Sequence, residues 1–341
     1  MSPPDEIACH PHSIVRHNYT AGAVRTGGGR DDDVANIRIL SCGVLAAIVL
    51  STSPHASAPA LLFIGNSFTF GEGSPVKTWR PESVADLNHE GIGGVPALFK
   101  AFTRQAGLDY DVSLETHPGV GLDYHLQNRQ DQLASRPWDV VVMHGYSTLD
   151  SAKPGDPAKL IETTRQMAGL LTSRNPKVEI HLTATWSRAD QTYPATGHWY
   201  GRPIAAMATD VQDAYEKAAK TSPAIKSVIP VGHAWIRAIE TGVADPNPYD
   251  GITPGQIDLW ARDHYHASTE GYYLEALMVF GDLTGRDPRS LGEAECSAFE
   301  LGLPPAEAKA LQQIAFDELA SKRKVAAEPR RSSGTPQRCA Q

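Results

Sequence analysis

From Pro59 to Ser321 the chain alternates short, apolar, β-rich runs with longer stretches of helical periodicity, and few folds accommodate that alternation. The apolar runs are Ala60 to Ile64, Tyr110 to Glu115, Trp138 to Met143, Val178 to Ala184 and Ile225 to Val231. Helical patterns fall near Val95 to Ala106, Leu122 to Ala134, Pro157 to Thr172 and Ile204 to Lys220, and after the last run near Ala234 to Glu240, Thr269 to Leu283 and Pro305 to Ser321. Gly107 and the segment Ser173-Arg174-Asn175-Pro176 supply stop signals. Strands separated by helices predict a mostly parallel sheet covered on both faces, hence a three-layer α/β/α sandwich with a five-stranded parallel sheet. Val140-Val141-Val142-Met143 has the unbroken apolar character of a central strand.

The ends of the chain read differently. Residues 1–58 form a leader: Met1 to Asn36 lacks apolar mass, and Arg38, the apolar run Ile39 to Leu50 and the small-residue end Ala56-Ser57-Ala58 make a secretory signal over residues 34–58. Its distance from Met1 suggests a translation start near Val34, and its use places the mature protein in the periplasm or outside the cell. The apolar run is shorter than the roughly 20 residues a membrane span needs, so no stable membrane insertion is expected. Residues 59–321 are expected to form one folded domain, and residues 322–341 read as a basic, disordered tail. Cys296 and Cys339 would remain after cleavage and can form at most one bridge. The net charge of -8 argues against nucleic acid as a partner, because a phosphate-binding surface must be basic. Oligomeric state is not legible.

In open α/β sheets, ligands gather at the carboxyl ends of the strands. Past the first run stands Gly65-Asn66-Ser67-Phe68-Thr69, where a serine leaves a strand across a tight turn. This is not the Gly-x-Ser-x-Gly elbow, and a serine capping the next helix is the plainer reading of it. Late in the chain, Asp263-His264-Tyr265-His266 sets a carboxylate three residues before an imidazole. One turn brings such a pair together; the carboxylate fixes the tautomer, and the other ring nitrogen is free to take a serine proton. A capping aspartate beside a surface histidine is the plainer reading here. No His-Glu-x-x-His or cysteine cluster suggests a metal, and Gly91-x-Gly93-Gly94 lacks the strand-first context of a dinucleotide loop, so no cofactor is expected.

Taken together, Leu62-Phe63-Ile64-Gly65-Asn66-Ser67-Phe68-Thr69 and Asp263-x-x-His266 resemble the first and last blocks of the SGNH-hydrolase superfamily, the GDSL-like lipases and esterases. With His144-Gly145-Tyr146-Ser147 and Ala184-Thr185-Trp186-Ser187 between them, the chain is more similar to a bacterial branch with Gly-Asn-Ser than to the usual Gly-Asp-Ser type. The resemblance implies a flavodoxin-like three-layer fold, with Ser67 as nucleophile, His266 as base and Asp263 as its orienting acid. It implies an oxyanion hole built from the backbone N–H of Ser67, a glycine after the second strand and a side chain after the third. Gly121 best matches the glycine, with Gly119 competing. The third donor departs from the family, which usually has Gly-x-Asn: Ser147 holds that position, and His144 is the rival.

The segment after the fourth run is aromatic. Trp186, Trp199 and Tyr200 are expected to offer flat apolar faces to a sugar or aryl group, and His125 to reach the site from the following helix. The long polar segment Gly71 to Gly94, with Trp79 and His89, is a candidate rim or lid. The expected function is hydrolysis of a short acyl ester, acetyl in the leading reading, on a small-molecule or glycan substrate. The alternatives are a non-catalytic glycan-binding protein on the same fold, or a lipase or thioesterase.

Overall fold

All six residues of the first strand, β1 (Ala60–Gly65), are buried, as a strand covered on both faces requires. The computed structural model describes residues 57–322. The expected secretion signal and basic tail lie outside them except for boundary residues, as do Cys9, Cys42 and Cys339; Cys296 is disulfide-bonded. After β1 come α1 (Ser67–Phe70), β2 (Ala85–Asp86), α2 (Gly94–Gln105), β3 (Asp111–Thr116), α3 (Leu122–Asn128) and α4 (Gln130–Leu133). Next are β4 (Val140–Met143), α5 (Ala158–Arg174), β5 (Glu179–Ala184), α6 (Ala189–Thr192), α7 (Ala205–Ala219) and β6 (Ile225–Pro230). Four helices close the described chain: α8 (Val231–Glu240), α9 (Thr269–Thr284), α10 (Cys296–Glu300) and α11 (Pro305–Ser321).

The strands form one sheet in the order β2-β3-β1-β4-β5-β6, and every neighbouring pair is parallel. Side chains alternate between two cores, as strand geometry demands. Leu61 and Phe63 of β1 and Val142 of β4 pack with residues of α2, α8, α9 and α11. Ala60, Leu62 and Ile64 of β1, with Val141 and Met143 of β4, pack with residues of α3, α5 and α7. Each fully buried Leu, Ile or Phe contributes about 1.5–3 kcal/mol, so β1 and β4 anchor both cores at once. This is the three-layer sandwich expected from the alternation.

Two expectations need correction. The sheet has six strands, not five: Ala85 and Asp86 add a two-residue edge strand, paired with Ser113 and Leu114. It carries no apolar run because its residues are not core residues; Asp86 instead folds the following loop, accepting from the N–H groups of Asn88, Glu90 and Ile92. The helix expected over Leu122 to Ala134 breaks at Arg129, whose φ of -129° is not helical. The Gly71 to Gly94 segment is fastened down at Trp79 and Arg80, whose side chains both donate to Glu300. Among the described residues no helix is long and apolar enough to cross a membrane.

Candidate active site

Parallel pairing sends the carboxyl ends of β1, β3, β4 and β5 to one edge, and the segments that follow them supply the site. Ser67 is the first residue of α1, immediately past β1, and is buried. The first N–H groups of a helix have no intrahelical acceptor; Asn66 Oδ1 takes that of Phe68 at 3.1 Å. The turn must be tight: a Cβ on Gly65 would lie 2.1 Å from Thr69 Oγ1 and 2.6 Å from His144 Nε2. Asn66 does more than cap. Its Nδ2 donates to the Val120 carbonyl at 2.8 Å and to the Gly145 carbonyl at 3.2 Å, tying together the segments beyond β1, β3 and β4. An aspartate here would have no proton to give either carbonyl at neutral pH, which is the physical meaning of Gly-Asn-Ser in this chain.

At the other end of the described chain, His266 Nδ1 lies 2.6 Å from Asp263 Oδ2. Asp263 Oδ1 also accepts from the backbone N–H groups of Tyr265 at 3.0 Å and His266 at 2.9 Å. Burial alone would raise the Asp263 pKa, but these hydrogen bonds, led by the His266 side chain, outweigh it and hold the carboxyl below its usual value. A carboxylate cannot donate, so Nδ1 carries the proton and Nε2 keeps its lone pair. That Nε2 is buried and has no hydrogen-bond partner among the described residues. An imidazole oriented through one nitrogen and without a partner at the other among the described residues has the arrangement that a proton-relaying base requires.

Packing brings this pair to the Ser67 turn. The Phe68 ring, one residue from Ser67, contacts the His266 ring at 5.8 Å and the Tyr265 ring at 5.5 Å between centroids. Tyr272, one turn into α9, donates its hydroxyl to the Ser67 carbonyl at 3.2 Å and to the Glu72 carbonyl at 3.0 Å. Trp186 Nε1 donates to the Tyr265 carbonyl at 3.2 Å. Segments almost 200 residues apart in sequence therefore share one wall.

The rival third donors differ. His144 is fully buried, and both of its ring nitrogens are engaged, Nδ1 with the Gly145 carbonyl at 3.0 Å and Nε2 with Thr69 Oγ1 at 2.7 Å. A carbonyl only accepts, so Nδ1 holds the proton and Nε2 accepts from threonine. Burial lowers the His144 pKa to about 4, against a smaller opposing effect of the Gly145 hydrogen bond. His144 thus has no N–H left to offer. Ser147 Oγ accepts from Arg188 Nη1 at 3.3 Å, which leaves the serine proton uncommitted. Gly121 precedes α3 in extended backbone, and a Cβ there would stand 2.5 Å from the Tyr146 ring, so glycine is needed for that close approach.

A cavity of about 280 Å³ opens beside the Ser67 turn. Asn66 and Tyr265, the residues just before Ser67 and His266, belong to its wall, with Gly119, Tyr146, Ser147 and Arg188. Thr148 and Ser151 add hydroxyls. Arg188 escaped the sequence reading because it looks like any loop arginine; its place just past β5 was the available signal.

The expected aromatic rim is not where Trp186 and Trp199 lie. Trp186 is fully buried between Phe68, stacked at 4.0 Å, and Trp235, stacked at 4.8 Å, so neither face can receive a substrate ring. Trp199 is also buried, donating from Nε1 to Asp210 at 2.8 Å. Tyr200 is 57% exposed but is not among the residues lining the cavity. His125 is closed off from solvent, its Nδ1 facing the equally buried Glu115 carboxylate. The aromatic residues in the cavity wall are instead Tyr146 and Tyr265, and the Tyr265 ring is itself covered by Arg188 and His266.

A second serine–histidine–aspartate cluster lies within the sheet, on the α9 side. His181 Nδ1 is 2.7 Å from Ser227 Oγ and 3.1 Å from Asp282 Oδ2, and Ser227 also donates to Asp282. One nitrogen serves both partners, whereas a relay needs the serine and the carboxylate on opposite nitrogens. This cluster satisfies polar groups on two mid-strand positions. Among the described residues no three His, Cys, Asp or Glu side chains converge as a metal-binding group.

No family model and no curated protein matches the chain. Solved structures do. A DUF4886 family protein from Bacteroides uniformis is 20% identical, with a TM-score of 0.50 over 79% of this chain and 97% of that one. A protein assigned to the SGNH hydrolases from Slackia heliotrinireducens is 20% identical, with a TM-score of 0.45 over 66% of this chain and 99% of its own. A protein assigned as a GDSL-like lipase from Parabacteroides merdae is 16% identical, with a TM-score of 0.47 over 67% and 95%. At this level of identity, the Bacteroides uniformis match shows a shared fold.

Proposed function

We propose that this protein is a serine hydrolase that cleaves a carboxylic ester through an acyl-enzyme. The observation that carries the proposal is His266, fixed by Asp263 at Nδ1 and left with a buried, unpaired Nε2 beside the Ser67 turn. Ser67 Oγ attacks the ester carbonyl while His266 Nε2 takes its proton. The imidazolium is stabilised by Asp263 and passes the proton to the departing alkoxide. Water, deprotonated by the same nitrogen, then attacks the acyl-enzyme; the Ser67–acyl bond breaks and the serine recovers its proton. In this reading the donors to the developing oxyanion are the backbone N–H groups of Ser67 and Gly121 and the Ser147 hydroxyl. No cofactor enters these steps.

The substrate we infer is a short acyl ester, acetyl in the simplest case, on a hydroxyl-bearing leaving group such as a sugar. A cavity of about 280 Å³ is small for an acyl chain of lipid length. The hydroxyls of Ser147, Thr148 and Ser151 in its wall suit a compact polar group. The secretory signal read from the sequence supports action outside the cytoplasm.

The test is a panel of acetylated sugars and acyl esters of graded length, assayed with the parent and Ser67→Ala, alongside labelling by a fluorophosphonate. Parent turnover that falls with chain length and vanishes in Ser67→Ala, with label on Ser67, is the expected result. Equal turnover by Ser67→Ala sinks the mechanism. Saccharide binding with neither turnover nor label would make the protein a binding module.

A further inference from the structure

The serine at the third oxyanion position poses a chemical problem. An amide in that place presents two N–H protons on a planar group, whereas a serine hydroxyl has one proton on a freely turning rotor. Arg188 resolves it. Its Nε and Nη2 are both committed to Asp190, at 2.9 and 2.5 Å, and this two-point grip fixes the plane of the guanidinium. The same group packs on Tyr265, 3.6 Å from the ring centroid, and Tyr265 in turn stacks on His266 at 4.0 Å with planes 28° apart. So held, the remaining nitrogen, Nη1, donates to Ser147 Oγ at 3.3 Å.

We infer that Arg188 is a positioning residue that makes Ser147 an effective oxyanion donor, a role that rests on the ester-hydrolase reading above. By donating into a lone pair of Ser147 Oγ, the guanidinium turns the single hydroxyl proton away from Arg188. The bond is charge-assisted and polarises the O–H, so the proton is offered more strongly to an oxygen gaining negative charge. Because Asp190 neutralises it, the guanidinium does this without presenting a bare positive charge to an anionic substrate. The third donor is therefore a two-residue device, assembled from the segments after β4 and β5.

The experiment is a double-mutant cycle on the full-length protein, with kcat and KM measured on a short acyl ester for the parent, Ser147→Ala, Arg188→Met and the double variant. Loss of one oxyanion donor costs roughly 100-fold or more in kcat elsewhere, so Ser147→Ala sets that scale here. Arg188→Met should lower kcat by about tenfold or more with KM within about twofold, and add less than about twofold once Ser147 is alanine. Arg188→Lys, which keeps the charge but loses the two-point grip, should fall between the parent and Arg188→Met, and it replaces methionine in the cycle if Arg188→Met does not fold. A full additional loss in the Ser147→Ala background, or an effect confined to KM, overturns the inference. Ser67→Ala runs in parallel: if it is inactive while the cycle is additive, only the role of Arg188 fails; if it is fully active, the hydrolase reading fails and takes this role with it.

Discussion

Phe68 lies flat against Trp186, with ring centroids 4.0 Å apart and planes 4° from parallel. The stack continues into Trp235, whose centroid is 4.8 Å from that of Trp186. One column of rings thus runs from the residue after Ser67 into the core beneath α8. Trp186 also holds the Tyr265 carbonyl through Nε1, so the same indole braces the Ser67 turn and the loop that carries His266.

Trp186→Ala should therefore act first on stability. Removing a buried aromatic side chain costs about 3–5 kcal/mol, and thermal unfolding should show a fall of many degrees. Tyr200→Ala, at an exposed position, should change stability by less than about 0.5 kcal/mol and leave KM unaltered. A raised KM in Trp186→Ala with an unchanged melting temperature would restore this tryptophan to the substrate rim.

Asn66→Asp tests the three-way tie beyond the strands. The variant removes both donors to the Val120 and Gly145 carbonyls and points carboxylate oxygens at them. Breaking bonds at buried partners costs about 1–3 kcal/mol each, and kcat should drop at least about tenfold because Ser67 is the next residue. A protonated acid can restore one donor, so the defect should ease as pH falls into the carboxylate range. A pH-independent defect in kcat and unfolding midpoint would contradict this account.

Asp263→Asn should leave the fold intact, since Asp263 is nearly half-exposed, with 48% of its side chain accessible. The neutral amide loses the charge that stabilises imidazolium and can hold the wrong tautomer; the same change in another serine hydrolase costs about 10⁴ in kcat. The greater exposure of Asp263 should bring the loss here to roughly 10²–10³. Because its pKa is held below the usual value, Asp263 is charged throughout the working pH range and should not set the acid limb of the rate profile. Wild-type kcat in Asp263→Asn would remove it from the relay.

His144 makes the fold sensitive to acid. Its pKa falls from 6.5 to about 4 on burial, so between those values the unfolded chain takes a proton that the folded site refuses. The stability linked to this group is complete above about pH 6.5 and is lost progressively as pH falls toward 4. The size of that shift corresponds to roughly 3 kcal/mol. Urea unfolding of the parent and His144→Gln at neutral pH and near pH 4.5 measures it. The parent should lose more stability than the variant, and equal losses would show that His144 does not titrate as described.

The layered architecture was legible in the sequence because strand and helix periodicities are local. All five apolar runs are strands, and Val140 to Met143 sits mid-sheet as its unbroken apolarity indicates. Ala85–Asp86 escaped because a two-residue edge strand has no buried face to write a pattern. Asp263 and His266, three residues apart, were legible as a pair for the same local reason.

Roles that depend on distant partners were not legible. A buried tryptophan and a sugar-binding tryptophan look alike in one dimension, and only the Phe68 and Trp235 rings on either side of Trp186 separate them. Ser147, at the motif position, was only narrowly preferred to His144, and what separates them is that the Gly145 carbonyl and Thr69 occupy both nitrogens of the histidine whereas Arg188 takes only a lone pair of the serine. By itself the sequence determined the strand–helix order and the residue types available at the sheet edge. Tertiary structure decided which of those groups are spent on one another and which keep a free proton or lone pair, because hydrogen bonds and ring stacking act over a few ångströms of space, whatever the separation along the chain.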